Sequence, residues 1–297
     1  MNTSSNEFDI FSFESPAKAL SLLPKRQPRS NKGDYGRVLC ICGSSGMAGA
    51  AYLAAKAAYR MGAGLVEIFT HESNRVILQT ALPEAIVSVY TDEYSADDLI
   101  PSLKRASCIV AGCGLGVTPL SRQILSDLLI NNDIKNTPLV LDADGLNILS
   151  KNPSLLKYAK GAVMTPHPAE MSRLTGCTVE SILDNTAKEA CKYAKAHSVI
   201  CLLKDHRTVV SDGSTRIYRN LTGNSGMATG GSGDVLSGII GGILAQLGNV
   251  SSDIFTLTAL GAYIHGRSGD LAAKDLGEYS LMAGDIIEYI PKALKLL

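Results

Sequence analysis

The sequence lacks an excess of charge of either sign, because its 297 residues include 28 basic and 28 acidic side chains. Without a positive excess there is no electrostatic reason to expect nucleic acid or an anionic membrane as a partner. No run of about 18 apolar residues occurs, so no segment is expected to span a bilayer. Residues 1–13 are polar and acidic and lack the basic-then-apolar pattern of a secretory signal. These absences favour a cytoplasmic protein.

The cysteines lack the spacing of a metal site or of a disulfide framework. There are seven, an odd number, and none forms a Cys-x-x-Cys pair. Most lie inside apolar, strand-like runs, as Cys40 and Cys42 do. Buried reduced thiols in a cytosolic protein explain this pattern better than disulfides or a zinc site.

What the chain does have is a regular alternation of strand and helix patterns after residue 33. Continuous apolar runs, the first over residues 37–43, predict buried strands, and the segments between them predict helices. The later helices are expected over residues 179–196, 234–247, 252–273 and 283–290. The alternation predicts an α/β fold with a mostly parallel sheet and helices on both faces. We expect one domain over residues 34–297 after a lead-in helix and connector over residues 1–33.

Glycines and polar side chains follow the ends of the predicted strands. Ligands of parallel α/β sheets bind beyond the carboxyl ends of the strands. The strand ends carry five such segments, at residues 43–46, 112–116, 142–145, 165–167 and 204–205. We therefore expect these five segments to converge on one crevice, bordered by residues 226–234.

The most informative stretch is a glycine-rich turn at residues 224–238, Asn-Ser-Gly-Met-Ala-Thr-Gly-Gly-Ser-Gly-Asp-Val-Leu-Ser-Gly. Glycine lets a backbone approach a ligand closely, and a helix start offers unpaired N–H groups and the positive end of its dipole. The turn therefore predicts a phosphate site, with the N–H groups of Gly231, Ser232 and Gly233 as an anion hole. A carboxylate there would repel phosphate, so Asp234 is expected to take a proton from the group that attacks the phosphate. This combination predicts phosphoryl transfer.

Other interpretations of these residues stay open. The turn is not a P-loop, because no Lys-Ser or Lys-Thr pair follows Gly233. The glycines can serve only a helix start and close helix packing, and Asp234 can be a helix cap. His167, between two prolines, can be a plain turn residue, and Lys204 a solvated lysine at a strand end.

Taken in order, these segments resemble the ribokinase-like superfamily and, within it, the ADP/ATP-dependent NAD(P)H-hydrate dehydratases. The resemblance extends from about residue 32 to residue 284, and several long motifs in one order are more specific than any motif alone. The matching segments are Lys-Gly-Asp-Tyr-Gly at 32–36, Gly-Ser-Ser-Gly-Met-Ala-Gly-Ala-Ala at 43–51, Ala-Gly-Cys-Gly-Leu-Gly at 111–116, Leu-Asp-Ala-Asp-Gly-Leu-Asn at 141–147, Thr-Pro-His-Pro-Ala-Glu at 165–170 and the turn from 222 to 234. The resemblance implies a three-layer, ribokinase-like fold.

The resemblance also implies a reaction, the repair of a damaged cofactor. NADH and NADPH can add water to the nicotinamide ring, and the family dehydrates the S epimer of this hydrate at the expense of ADP or ATP. The ring hydroxyl is phosphorylated and phosphate then leaves, so the enzyme is a lyase, with Mg²⁺ as cofactor. A homotetramer and a functional link to a separate epimerase are implied as well, because about 30 residues before the core leave no room for a fused one.

The resemblance assigns roles to individual residues. Asp234 is the expected catalytic base. The residues expected to line the hydrated dinucleotide are Ala50, Gly114, His167 and Asp234. The residues expected to bind the nucleotide are Lys204, Asp205, His206, Arg207, Thr208 and Gly233. No metal ligands are assigned, although Glu170 and Asp142 are candidates to organise Mg²⁺ through water.

The chain departs from the family pattern at three positions. Asp205 stands where glycine is usual, Cys113 where proline is frequent and Ala169 where glycine is common. A side chain at Asp205 leaves the preference between ADP and ATP open.

Two other functions stay open beside the dehydratase. A kinase of a vitamin precursor, such as a hydroxymethylpyrimidine or a thiazole alcohol, shares the fold and the Gly-x-Gly-Asp end. Segments 43–51 and 165–170 fit the dehydratase pattern better. A nucleotide sensor without catalysis is the third function, and the intact Asp234 argues against it.

Overall fold

A single sheet of ten strands runs through the part of the chain that the computed structural model describes, residues 8–248 and 253–295. The strands are β1 (Asp9–Phe11), β2 (Arg37–Ile41), β3 (Leu65–His71), β4 (Ile86–Tyr90), β5 (Cys108–Ala111), β6 (Leu139–Leu141), β7 (Val163–Met164), β8 (Ile200–Leu203), β9 (Val209–Ser211) and β10 (Arg216–Arg219). The helices are α1 (Pro16–Leu20), α2 (Ala48–Arg60), α3 (Arg75–Ala81), α4 (Ala96–Arg105), α5 (Pro119–Lys135), α6 (Asp144–Lys151), α7 (Pro168–Thr175), α8 (Val179–Asp184), α9 (Thr186–His197), α10 (Ser232–Leu247), α11 (Ile254–Leu276) and α12 (Ala283–Leu294).

The sheet is mostly parallel, which confirms the predicted fold class. Its strand order is β1-β10-β9-β8-β7-β6-β5-β2-β3-β4. Neighbouring strands from β8 through β4 are parallel, β9 runs antiparallel between β8 and β10, and β1 is parallel to β10. The chain passes from β2 to β3 and β4 on one side and then returns to β5 on the other side. The gap between β2 and β5 is therefore the topological switch point, where sheets of this kind bind ligands.

Apolar side chains cover both faces of the sheet, and each face has its own layer of helices. Successive side chains of a strand point to opposite faces, so Val38 and Cys40 of β2 enter one core while Leu39 and Ile41 enter the other. Helices α1–α3 and α10–α12 contribute to the first core, and α4–α9 contribute to the second. All seven cysteines are free thiols, and five of them are buried. The result is the expected three-layer arrangement.

Glycines let α10 pack closely on α2. An added Cβ at Gly238 would lie 2.1 Å from the carbonyl oxygen of Ala54, and one at Gly242 would lie 2.8 Å from that of Ala58. Only glycine allows two helices to approach this closely at these positions. The packing interpretation of the glycine-rich stretch is therefore correct for the glycines that follow Asp234.

The described elements differ from the expectations in a few places. Strand β1 was not predicted, although it lies in the predicted lead-in and extends the sheet at the edge beside β10. Helix α3 was not predicted either, because Leu78 is buried while Val76 and Ile77 are exposed, so its apolar residues do not mark one face. The single helix expected over residues 179–196 is wrong: Asn185 has φ −138° and ψ 42°, which ends α8 before α9 begins.

Some expectations are not decided by these elements. The division into a lead-in and one domain stays a prediction. Residues 1–7 and residue 252, the expected start of α11, lie outside the described residues. Within the described ranges, no helix has both the length and the apolar character that a bilayer crossing requires.

Candidate active site

The segments at the carboxyl ends of the strands are joined to one another by hydrogen bonds. The N–H of Gly43, after β2, donates to the carbonyl oxygen of Cys113, after β5, at 2.9 Å. The N–H of Gly116, in the same loop as Cys113, donates to Asp144 Oδ2 at 2.8 Å. The N–H of Lys204 donates to the carbonyl oxygen of Pro166 at 2.8 Å. The segments after β2, β5 and β6 are therefore joined at the topological switch point, and those after β7 and β8 are joined to each other farther along the same edge of the sheet.

A buried ion cluster links two of these segments and helix α7 to α10. Lys204 Nζ lies 2.8 Å from Asp142 Oδ1 and 3.9 Å from Glu170 Oε2. Asp142 Oδ2 accepts a hydrogen bond of 2.8 Å from Ser237 Oγ of α10. Burial acts to lower the pKa of Lys204, but the two carboxylates outweigh it and raise the pKa. The ammonium group is thus charged and paired, and the interpretation of Lys204 as a solvated lysine is wrong.

Asp234 lies in the first turn of α10, beside this cluster. The helix begins at Ser232 with Gly231 in the cap position, so the alternative in which Asp234 caps the helix is wrong. One ligand atom each of Cys113, Asp142 and Asp234 lie within 4.8 Å of one another. Burial, and then the charge of Asp142, raise the pKa of Asp234 from 3.8 to about 6. A carboxylate with this pKa is a stronger base than an exposed aspartate and is still mostly ionised at neutral pH.

The predicted anion hole stands at the amino-terminal end of α10. Gly231 has φ +88°, a backbone conformation that favours glycine, and an added Cβ there would lie 2.4 Å from Leu53 Cδ1. The first N–H groups of a helix have no partners within it, and they point out of its amino-terminal end. An added Cβ at Gly233 would lie 3.3 Å from Lys204 Nζ. The turn therefore faces the ammonium group, which suits a bound anion.

Sequence reasoning missed the residue that supports this turn. Ser232 Oγ lies 3.2 Å from Nε2 of His265, which belongs to α11. Burial lowers the pKa of His265 to about 4, so its ring is neutral at physiological pH. No local pattern connects positions 33 residues apart on two helices, and only the packing of α10 on α11 brings them together.

His167 caps α7 with its ring. Nδ1 accepts hydrogen bonds from the N–H groups of Ala169, at 3.1 Å, and Glu170, at 3.3 Å. Glu170 Oε2 in turn accepts from the N–H of His167 at 2.8 Å, which completes a capping box. Because Nδ1 is an acceptor, the ring proton of the neutral form is on Nε2. Burial, and then the charges of Lys204 and Arg173, lower the pKa of His167 and so favour this neutral form.

The two small residues expected at the dinucleotide are also brought together. An added Cβ at Gly114 would lie 2.7 Å from the Cβ of Ala50 and 3.2 Å from that of Met47. Gly114 also has φ +59°, a conformation that favours glycine. The start of α2 and the loop after β5 thus place small residues side by side next to Cys113. The Cys113 thiol lies within 4.8 Å of carboxylate oxygens of Asp142 and Asp234.

The segment after Lys204, which the sequence predicts to bind the nucleotide, forms a tight turn between β8 and β9. Thr208 Oγ1 donates to the carbonyl oxygen of Asp205 at 3.1 Å and accepts from its N–H at 3.4 Å. The Asp205 carboxylate lies 3.2 Å from Nδ1 of the exposed His206, and Arg207 Nη1 donates to Leu221 O at 3.0 Å. The turn is therefore at the surface, while Lys204 points into the ion cluster.

The backbone between the two aspartates of segment 142–145 is strained. Ala143 has φ +48° and ψ −118°, which a residue with a Cβ rarely adopts. An added Cβ at Gly112 would lie 2.0 Å from the carbonyl oxygen of Asp142, so the neighbouring loop also requires close approach here. Strain of this kind persists where the surrounding structure holds a functional geometry.

A family model described as NAD(P)H-hydrate dehydratase matches residues 38–292. The chain belongs to the NAD(P)H-hydrate dehydratase family. A bifunctional NAD(P)H-hydrate repair enzyme of Moorella thermoacetica is 39% identical over 284 residues, 93% of this chain and 52% of that protein. The chain spans about half the length of the first such curated relatives that it matches.

Members of the family of similar length match over most of their sequences. An ADP-dependent (S)-NAD(P)H-hydrate dehydratase of Neisseria meningitidis is 36% identical over 266 residues, 88% of this chain and 86% of that protein. The ADP/ATP-dependent NAD(P)H-hydrate dehydratase of Bacillus subtilis, co-crystallised with ATP and Mg²⁺, has a TM-score of 0.77 and 28% identity, over 94% of this chain and 96% of that one. The ribokinase-like fold and the resemblance to this family are therefore confirmed.

Proposed function

We propose that this chain catalyses the nucleotide-dependent dehydration of the S epimer of NADH hydrate or NADPH hydrate back to NADH or NADPH. Membership of the family and the names of the relatives support this activity. The observation that carries the mechanism is the position of Asp234: it follows the anion-binding turn directly and lies within 4.8 Å of Asp142 and Cys113. A base beside an anion hole is what phosphorylation of an alcohol requires.

Asp234 takes the proton of the ring hydroxyl while the hydroxyl oxygen attacks the terminal phosphorus of the nucleotide. The N–H groups of Gly231, Ser232 and Gly233 stabilise the negative charge of the transferring group. Phosphate is a better leaving group than hydroxide, so the C–O bond then breaks and its electrons leave with phosphate. The neighbouring ring carbon loses its proton to solvent, and the electrons of that C–H bond form the ring double bond. The nucleotide thus converts a poor leaving group into a good one.

The remaining residues position the two substrates. We infer that Lys204 and Gly233 contact the phosphates, and that residues 205–208 contact the rest of the nucleotide. Ala50, Gly114 and His167 line the space for the hydrated dinucleotide, since the small residues leave room for a ring.

Mg²⁺ fits this arrangement as a companion of the nucleotide phosphates, whose charge it neutralises when bound. Both oxygens of Asp142 already accept hydrogen bonds, from Lys204 and Ser237. Glu170 likewise bonds to His167. Mg²⁺ keeps several of its waters in such sites, so Asp142 and Glu170 would hold it through water rather than directly.

We further infer that the protein is a cytoplasmic homotetramer that works with a separate epimerase. Membership of the family supports this assembly. Free cysteines throughout the chain support a reducing compartment.

The direct test incubates the protein with hydrated NADH or NADPH, Mg²⁺ and either ADP or ATP, and follows the return of reduced-nicotinamide absorbance. Recovery that requires the nucleotide is expected. A stable phosphorylated product from a vitamin-precursor alcohol, without recovery of NADH, would instead identify a kinase. Nucleotide binding with no turnover across both substrate classes would identify a sensor.

A further inference from the structure

A thiol lies beside the two carboxylates at the centre of the site. Cys113 Sγ, one carboxylate oxygen of Asp142 and one of Asp234 are all within 4.8 Å of one another. Cys113 and Asp142 are fully or almost fully buried, with 0% and 1% of their surfaces exposed. The three residues come from the loop after β5, the end of β6 and the first turn of α10, which packing holds in place.

This donor set differs from one that suits Mg²⁺. Thiolate sulfur binds zinc-class cations and is avoided by hard cations such as Mg²⁺, which prefer oxygen alone. With Zn–S of about 2.3 Å and Zn–O of about 2.1 Å, the ligand atoms of a tetrahedral site are about 3.5 Å apart. The three atoms here therefore need to move together by no more than about 1.3 Å. Side-chain rotation supplies a movement of this size.

The surroundings already orient the ligands and favour a dication. Ser237 Oγ donates to Asp142 Oδ2 and Lys204 Nζ to Asp142 Oδ1, each at 2.8 Å, as outer hydrogen bonds of metal-bound carboxylates do. Lys204 pairs with Asp142 and Glu170, and Asp234 lies beside Asp142, so the carboxylates outnumber the ammonium group here. A Cβ at Gly233 would lie 3.5 Å from Asp142 Oδ2, so the glycine leaves that oxygen open on one side.

We propose that Cys113, Asp142 and Asp234 form an inhibitory site for one zinc-class divalent cation, with water as the fourth ligand. On binding, the S–H bond of Cys113 breaks, its proton goes to solvent and a sulfur–metal bond forms, with no change of oxidation state. The metal takes the oxygen of Asp234 that accepts the hydroxyl proton, so turnover stops. This inhibition rests on the proposed function, whereas the binding does not.

The first experiment measures binding to the untagged, metal-free protein without substrate or nucleotide. Calorimetry with Zn²⁺ is expected to give one site per chain, and Co²⁺ is expected to give a thiolate-to-cobalt absorption band in the near ultraviolet. Cys113→Ser should lose the band and bind Zn²⁺ at least about 10-fold more weakly. The matched control is Cys191→Ser, at a half-exposed thiol on α9 that bonds to the carbonyl oxygen of Ser214, and it should retain both. A band that persists in Cys113→Ser, or that disappears in Cys191→Ser, would overturn the proposal.

A second measurement needs no variant and so does not depend on the folding of Cys113→Ser. X-ray absorption at the zinc edge of the unmodified protein with one equivalent of Zn²⁺ should show one sulfur at about 2.3 Å among oxygen ligands. A shell of nitrogen and oxygen only, or no stoichiometric binding, refutes the site. If the dehydratase assay gives turnover, Zn²⁺ should inhibit it in the presence of excess Mg²⁺ and a chelator should restore it. If that assay gives none, the binding data still decide the metal site.

Discussion

Replacement of Asp234 by Asn is expected to stabilise the fold while it abolishes turnover. The folded protein holds this carboxylate where burial and Asp142 oppose its charge, which raises its pKa from 3.8 to about 6. Because the folded state has the higher pKa, it binds more protons than the unfolded chain between these two values. Stability from this group is therefore present below pH 3.8 and is lost as the pH rises to 6.

The size of the effect follows from the shift. About two pKa units correspond to about 3 kcal/mol at neutral pH, and loss of favourable contacts with the helix start reduces this to about 2 kcal/mol. The amide cannot be a base, so turnover should fall by about 10²- to 10⁴-fold. Urea unfolding at pH 7 and at pH 4 measures the first quantity, and the gain over the unmodified protein should shrink at pH 4.

The matched control is Asp97→Asn, at an exposed aspartate in the first turn of α4. This variant should lose up to about 1 kcal/mol of its free energy of unfolding, because it gives up the interaction of the carboxylate with the helix dipole. If Asp234→Asn is no more stable than the unmodified protein at pH 7, the claim that its charge is held against an unfavourable environment is refuted. Near-normal turnover in that variant would remove Asp234 from the role of base.

Three further predictions follow from the same geometry. Since the candidate base has a pKa of about 6, kcat/KM should fall as the pH drops through 6, and a profile flat to pH 4.5 would contradict this. Lys204→Met leaves the buried Asp142 without its cation, so it should lower the free energy of unfolding in urea by about 3–5 kcal/mol. It should also raise the KM for the nucleotide, and an unchanged KM would show that Lys204 does not bind the nucleotide. Gly238→Ala puts a Cβ 2.1 Å from Ala54 O and should lower the free energy of unfolding by about 1–3 kcal/mol, while the control Gly284→Ala, with no atom within 4 Å, should be neutral or stabilising.

The sequence predicts those parts of the site that are formed by residues close together in the chain. The glycine-rich turn, the strand ends and most of the strands and helices are local patterns, and the structure places them as expected apart from β1, α3 and the break between α8 and α9. Ser237 lies three residues after Asp234, and side chains at this spacing share a helix face, so its place beside the cluster was within reach of the sequence. The sequence marked its partner Asp142 as a strand-end residue and a candidate to organise Mg²⁺, and not as a partner of Ser237. The bond between them depends on how α10 crosses the sheet.

Contacts between segments far apart in the sequence could not be predicted from local sequence patterns. His265 beside Ser232 follows from the packing of α11 on α10, which no spacing encodes. The strain at Ala143 is likewise invisible, because alanine has no local preference for positive φ. Cys113 was noted only as a departure from the family pattern, and its approach to two carboxylates emerges when β5, β6 and α10 meet.

The ion cluster explains how a carboxylate next to a lysine can still be a useful base. A lysine paired directly with Asp234 would lower the pKa of that carboxylate below its ordinary value and make it a poor proton acceptor. Asp142 takes Lys204 instead, at 2.8 Å, and adds its own repulsion to the burial of Asp234. The same ammonium group stays next to Gly233, where a phosphate would meet it. Under the proposed function, Asp142 thus separates two tasks that compete in one small site: Lys204 supplies positive charge for the nucleotide, and Asp234 keeps its basicity as the proposed proton acceptor.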